Sequence, residues 1–241
     1  MNPATDYPLG RLPSVDARDA AYPMAAAGLP AAPPKRRKLS WTAGPLRDQS
    51  DASHRAARAR NSCVGQSCQG LLEATPVPRM DGPSAIAIYR WAVMHDQWPG
   101  NDGEDRGTSI RAAMEYLLQE GLIGSYVWAQ SVLDVANWLL RRGPVVCGTY
   151  WLDGMYEPEP DGRVRPVGAV KGGHAYLATG VDLTVSPQRF KFRQRWGDWG
   201  PHRGDFWIAY EDFESLFAMN GEAVTAVERK LQVHRGAGML T

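Results

Sequence analysis

The chain is helical in its first half and stranded in its second, and that order constrains the fold more than any other feature. Val64, Cys68, Leu71 and Leu72 share one helical face at i, i+4, i+7 and i+8. The same spacing predicts helices over 84–95 (Ala85, Ile88, Trp91, Ala92), over 108–119 (Ile110, Met114, Leu117, Leu118; stopped by Gly121) and over 132–141, which ends at Gly143-Pro144. Beyond that break, 144–151 (PVVCGTYW), 174–181 (HAYLATGV), 190–193 and 205–210 read as strands between Gly-rich turns. Helices followed by strands, without βαβ alternation, predict an α+β protein of two lobes. No Gly-rich loop joins a strand to a helix, so nucleotide binding has no support.

The flanks differ from this centre. Residues 1–45, rich in Ala and Pro (Pro23, Pro30, Pro33, Pro34), keep neither period for long and are expected to form an arm lying on a surface, held by the domain or by an assembly partner. The domain is expected over 46–220, with 221–241 as a tail. At 241 residues, 44% hydrophobic and 22% charged, the chain is long enough for a full core and is not a disordered composition. No stretch approaches the roughly 18 apolar residues of a membrane helix, and Met1 to Arg11 lacks the apolar run of a secretory signal. A cytoplasmic or virion-associated location without membrane contact is the expectation. Eight basic residues lie between Lys35 and Arg60 against Asp48 and Asp51, but the net charge is only +1 and the stretch lacks interleaved aromatics, which argues against nucleic acid as a partner.

Three cysteines cannot frame a domain of this size with disulfides. The absence of Cys-x-x-Cys and His-x-x-x-His leaves no structural zinc motif, and no cofactor is expected. Cys63 differs from Cys68 and Cys147 in its setting. It falls in the first turn of a helix that Asn61 or Ser62 can cap, where unpaired N–H groups and the helix dipole favour a thiolate. The other two read as inert core thiols. A thiolate nucleophile needs a histidine, and His174 opens a small-residue strand after Gly172 and Gly173, where backbone can approach closely. Gln194, beside Trp196 on a later strand, is placed to orient the imidazole. Gln49 is a candidate oxyanion donor alongside the Cys63 N–H.

The order Gln, Cys, His, amide resembles that of the papain-like cysteine peptidases, and the likeness runs from about Leu12 to Phe217. Leu12-Pro13-Ser14-Val15-Asp16-Ala17-Arg18-Asp19 is similar to the lead-in of bacterial and phage-type members. Gly44 to Gln49 resembles the oxyanion segment, Asn61-Ser62-Cys63-Val64-Gly65-Gln66 the nucleophile motif, and Glu73 the glutamate ten residues further on. Glu104 to Arg111 resembles the loop and helix beside the substrate cleft, Gly172 to Gly180 the histidine strand, and Arg193-Gln194-Arg195-Trp196-Gly197-Asp198-Trp199-Gly200 the Asn-Ser-Trp-Gly segment. The resemblance implies a two-lobe fold, with a helical lobe carrying the nucleophile, an antiparallel barrel-like lobe and a cleft between them. It implies Cys63 as nucleophile, His174 as acid and base, Gln49 as oxyanion donor and Gln194 as orienting group. Trp196 would shield the His174 hydrogen bond, and Gly107 and Gly173 would contact an extended peptide or protein substrate.

Four features depart from the family. Gln194 stands where asparagine is usual, and fourteen residues rather than six separate Gln49 from Cys63, an insertion expected to coat one cleft wall with positive charge. Arg60 replaces a frequent disulfide cysteine, and the double Trp-Gly motif is one residue short. No inhibitory propeptide of the helical kind is evident. Two alternatives therefore accompany the peptidase reading: a catalytically weak domain built into an assembly such as a phage virion, and a hydrolase of peptidoglycan cross-links.

Overall fold

The computed structural model describes residues 7–14, 16–28, 35–49, 51–98 and 104–228. Among these are six α-helices, α1 (Ala52–Ala56), α2 (Cys63–Glu73), α3 (Ala85–His95), α4 (Ile110–Gln119), α5 (Val132–Leu139) and α6 (Tyr210–Ala218). Seven strands accompany them: β1 (Lys38–Ser40), β2 (Tyr126–Trp128), β3 (Val145–Leu152), β4 (Val170–Asp182), β5 (Arg189–Arg193), β6 (Asp205–Ala209) and β7 (Glu222–Ala226). Helix starts follow their caps. Ser84, Ser109 and Ser131 each accept a hydrogen bond from the third residue beyond, and Ser131 with Asp134 closes a full capping box.

The strands form one antiparallel sheet in the order β2-β7-β3-β4-β5-β6, with β1 added to the far end of β4. The sheet is open, so the expected barrel-like lobe is a curved sheet that does not close. Alternation along the strands divides the interior in two. Tyr176 and Ala178 of β4 and Val145 and Cys147 of β3 pack with α5, Phe190, Phe192, Phe206 and Phe213. The neighbouring Ala175, Leu177 and Val146 pack with α2 and α4. A period of two thus gives each sheet face its own core, one for the aromatic lobe and one for the helical lobe.

Helix α6 and strands β1, β2 and β7 were not expected from the sequence. The segment from residue 221 read as a tail, but Val224, Thr225 and Ala226 pair with β2 and β3 and are buried, so the domain extends through β7. The arm likewise contributes β1 and the buried Met24 to the body. The tail beyond 228 and the Pro30 to Pro34 stretch lie outside the described residues. Among the described residues no helix is long and apolar enough to cross a membrane, and none of their His, Cys, Asp and Glu side chains form a group of three or more that could hold a metal ion.

Candidate active site

The start of α2 is fixed by a single carboxylate. Asp105 accepts the N–H groups of Arg60 (2.8 Å) and Asn61 (3.0 Å) and the Tyr89 hydroxyl (2.8 Å), while the Gly107 N–H donates to that same hydroxyl (3.1 Å). One group therefore sets the approach to Cys63 and the position of the Gly107 ridge together. Ser62 occupies the N-cap position without a side-chain capping bond, and Cys63 opens the helix as its first residue. The N–H groups of Ala175, Gly10 and Val64 lie near the sulfur and favour its charged form. Cys63 is only 1% exposed, and burial pushes its thiol up to about 11 despite these donors and the charge of Arg11.

His174 lies on β4, one residue before the Ala175 whose N–H faces the sulfur. Its Nε2–H donates to Gln194 Oε1 at 2.9 Å, which leaves Nδ1 with its lone pair, buried and without a hydrogen-bond partner among the described residues. Gln194 is held by its own N–H on the Gly204 carbonyl (3.0 Å), and the extra methylene relative to asparagine is accommodated. Trp196 stacks on the imidazole at 4.4 Å, Trp151 meets it edge-on at 5.0 Å, and Tyr156 stacks on Trp196. This aromatic wall excludes water, and burial pushes the imidazole down to about 3 against the opposing Gln194 bond.

Gln49 reaches the site through local pairing. Its N–H donates to the Arg195 carbonyl (2.8 Å), and the Gly197 N–H donates to the Arg47 carbonyl (3.2 Å), which ties 47–49 to the Trp196 segment. Beneath, the buried Glu73 at the end of α2 pairs with the buried Arg195 and the partly exposed Arg47, so that end of α2 anchors both flanking segments. The fourteen-residue spacing is absorbed by α1, which is joined to α2 by a bond from Gln66 to His54.

The site is also occupied. Residues 8–12 run through it as an extended strap. The Pro8 carbonyl accepts from Gln49 Nε2 (3.0 Å) and Trp196 Nε1 (3.2 Å). The N–H groups of Gly10 (3.1 Å) and Arg11 (3.0 Å) donate to the Gly173 carbonyl, the Thr108 N–H donates to the Gly10 carbonyl (2.9 Å), and the Leu12 N–H returns to the Thr108 carbonyl (2.9 Å). Tyr7 lies on Trp196 with ring centres 5.1 Å apart. Three glycines make this passage, since a Cβ on Gly107 would strike the Gly10 carbonyl, one on Gly173 the Arg11 carbonyl, and one on Gly10 the Asn61 carbonyl. Gly107 has φ +102°, a conformation that other residues rarely adopt.

Gln49, Trp196, Thr108 beside Gly107, and Gly173 thus meet along residues 8–12, His174 joins Gln194 and Trp196, and no hydrogen bond links His174 Nδ1 to Cys63 among the described residues. Sequence reasoning missed Asp105 and Tyr89, which hold the two sides of the cleft in register, Trp151, and the strap itself. Asp105 lies in the Glu104 to Arg111 motif, but no periodicity signals that Pro8 to Leu12 enters a cleft. Cys68 and Cys147 are fully buried, with their thiols pushed up by desolvation, as expected of core residues.

The fold is that of the papain-like cysteine proteases. The chain is similar to xylellain, a cysteine protease from Xylella fastidiosa, at 19% identity over 92% of this chain and 97% of that one, with a TM-score of 0.64. Digestive procathepsin L2 from the larval midgut of Tenebrio molitor gives a TM-score of 0.66 at 16% identity over 92% and 78% of the two chains. Bromelain from Ananas comosus, in complex with the E64 inhibitor, gives 0.56 at 10% identity over 79% and 98%. No protein-family model and no curated protein sequence matches the chain.

Proposed function

We propose that the protein is a thiol peptidase that hydrolyses amide bonds through Cys63 and His174, and that the described conformation is its closed form. The observation that carries this reading is the strap, an extended peptide lying between Cys63, Gln49 and the Gly107 ridge with its backbone groups matched by theirs. A cleft that holds one peptide this way has the donors and acceptors to hold another as an added strand.

In the open form the Cys63 sulfur attacks a substrate carbonyl as His174 Nδ1 takes the thiol proton. Gln49 Nε2 and the Cys63 N–H hold the developing oxyanion, and the imidazolium protonates the leaving amine. Water, with its proton passed to His174, then cleaves the thioester. Gln194 keeps the imidazole in the tautomer that leaves Nδ1 free. In the closed form burial holds the thiol and the imidazole neutral, so departure of the strap both uncovers the sulfur and lets the pair ionise.

The occupied cleft also supports the assembly reading, in which the strap is permanent and catalysis has lapsed. Turnover of casein or a peptide library after strap-loosening substitutions separates the two. Product peptides that vanish with Cys63→Ala support the peptidase. A cleft that alkylates at Cys63 yet cleaves neither casein nor purified sacculi would leave only the scaffold.

A further inference from the structure

A cavity lies beside α2 that no residue of the strap lines. It holds about 410 Å³ where α1, α2, the start of α3 and the 46–48 segment meet, and Arg47, Asp48, Asp51, His54, Gln66 and Ser84 are among its walls. Gln66 stands three residues beyond Cys63 on α2, and Asp48 directly precedes Gln49. The cavity therefore borders the segments that carry two groups of the active site, without containing either group.

A relay of three side chains sets its polarity. Asp51 Oδ1 accepts from Ser53 Oγ (2.6 Å), from the His54 backbone N–H (2.9 Å) and from the His54 Nδ1–H (2.9 Å). Desolvation works against the charge of Asp51, but the bonds from Ser53 and His54 outweigh it and hold the carboxyl well below its usual range. With the proton on Nδ1, His54 Nε2 keeps its lone pair and accepts from Gln66 Nε2 at 2.6 Å. The amide oxygen of Gln66 is the atom left over. Gln66 is only 1% exposed, and its Oε1 is buried with no hydrogen-bond partner among the described residues. All three bonds to Asp51 fall on Oδ1, which leaves its Oδ2 open among the described residues.

The cation and the helix end on the same walls are already committed. The Arg47 guanidinium pairs with the buried Glu73, the Ala85 N–H at the start of α3 donates to Gln69 Oε1 (3.2 Å), and the Ala87 N–H donates to Ser84 Oγ (3.2 Å). A group entering the cavity therefore meets an unpaired amide oxygen and carboxylate charge. We propose that the cavity is a binding site for a primary ammonium group, held between Gln66 Oε1 and the Asp51 carboxylate, as carried by a lysine side chain or by a small polyamine. An ammonium brings three donors, no acceptor and a full charge, whereas a hydroxyl brings one donor and none of the charge. The site does not depend on the peptidase reading, because its ligand is held without Cys63 or His174.

The test is a calorimetric titration of the full chain near neutral pH with Nα-acetyl-lysine amide, with spermidine and with Nα-acetyl-norleucine amide, which keeps the lysine stem without its ammonium. At least one of the two amines is expected to bind with a dissociation constant of roughly 1 mM or below, and the norleucine amide is expected not to bind. Binding of the lysine amide alone assigns the site to protein side chains, binding of spermidine alone to free polyamines, and binding of both to any ligand that presents the ammonium. Gln66→Leu removes the amide oxygen and should weaken the amine by about 10-fold or more. Asp51→Asn removes the charge while keeping an oxygen for the α1 cap and for His54, and it should weaken the amine by about 10-fold with little change in melting temperature. If the Gln66 variant does not fold, the Asp51 variant carries the test. Equal binding of the norleucine amide, an amine affinity that survives these substitutions, or no binding of either amine overturns the proposal.

Discussion

Two segments of this chain flank the main body of helices and sheet, and they do opposite things. Residues 8–12 enter the cleft through backbone hydrogen bonds and are tied down by one arginine. Residues 51–59, expected to coat a cleft wall, instead brace the nucleophile helix from outside. Asp51 caps α1, His54 Nδ1–H donates to Asp51 (2.9 Å), Gln66 donates to His54 Nε2 (2.6 Å), and Ala59 is fully buried with Tyr89 and Val93. The contrast shows that charge in a segment says little about where it goes. The strap enters because glycines leave backbone groups open to it, and the insertion stays out because its buried His54 finds a partner on α2.

The comparison breaks or sharpens under substitution. Cys63→Ala, in a chain whose cleft has been opened, should lower turnover by about 10⁴-fold or more while the melting temperature stays near that of the parent. Surviving turnover would remove Cys63 from the chemistry. Gly10→Val places a side chain against the Asn61 carbonyl and should expel the strap, raising the iodoacetamide rate at Cys63 by about 100-fold. An unchanged rate would mean that the strap is not what covers the sulfur. Gln194→Ala should lower kcat by about 10- to 100-fold with smaller losses for Gln194→Asn, and an equal rate in all three chains would assign the orienting role elsewhere.

Acidity tests the closed form without substitution. His174 is held near 3 when closed against the 6.5 of a free imidazole, so closure carries fewer protons and its stability, complete above about 6.5, is lost as pH falls toward 3. Cys63 has the opposite slope. Its thiol is held near 11 against 9.0, so its contribution to closure is complete below about 9 and lost as pH rises toward 11. Alkylation of Cys63 should therefore fall less between pH 6.5 and 4.5 than the tenfold per unit of an ordinary thiol. A full tenfold slope, matched by a free cysteine peptide, contradicts the release of the strap by acid. The smallest effect belongs to the insertion: His54→Ala should cost about 1–2 kcal/mol in denaturant unfolding and leave the Cys63 alkylation rate of the closed chain unchanged. A large rise in that rate would show that the insertion, too, governs access.

The frame was legible where a local pattern decided the outcome. Helices α2 to α5 and strands β3 to β6 begin and end within a few residues of their sequence signals, because serine caps, Gly-Pro breaks and period-two runs act locally. The positions of Cys63 and His174 followed from motif order. Three-residue β1 and β2 carry too little pattern to read, and β7 becomes a strand through its pairing with β2 and β3. Arg11 Nε donates to Glu222 Oε1 although the two residues are 211 apart, and no spacing rule connects them. The path of the strap depends on partners from four residues far apart in sequence, Gln49, Thr108, Gly173 and Trp196, information that lies in the tertiary structure and in no window of sequence.

The Asp16 to Tyr22 turn and the buried Met24 fasten the strap to the body within a few residues of Leu12, and this sets the terms of any competition for the cleft. A tethered occupant behaves as though present at roughly millimolar concentration, and that figure does not fall when the protein is diluted. A peptide arriving from solution at micromolar levels therefore sees its apparent affinity reduced by the fraction of molecules that happen to be open. On the proposed reading dilution does not open the cleft, whereas cutting, capturing or titrating the tether does.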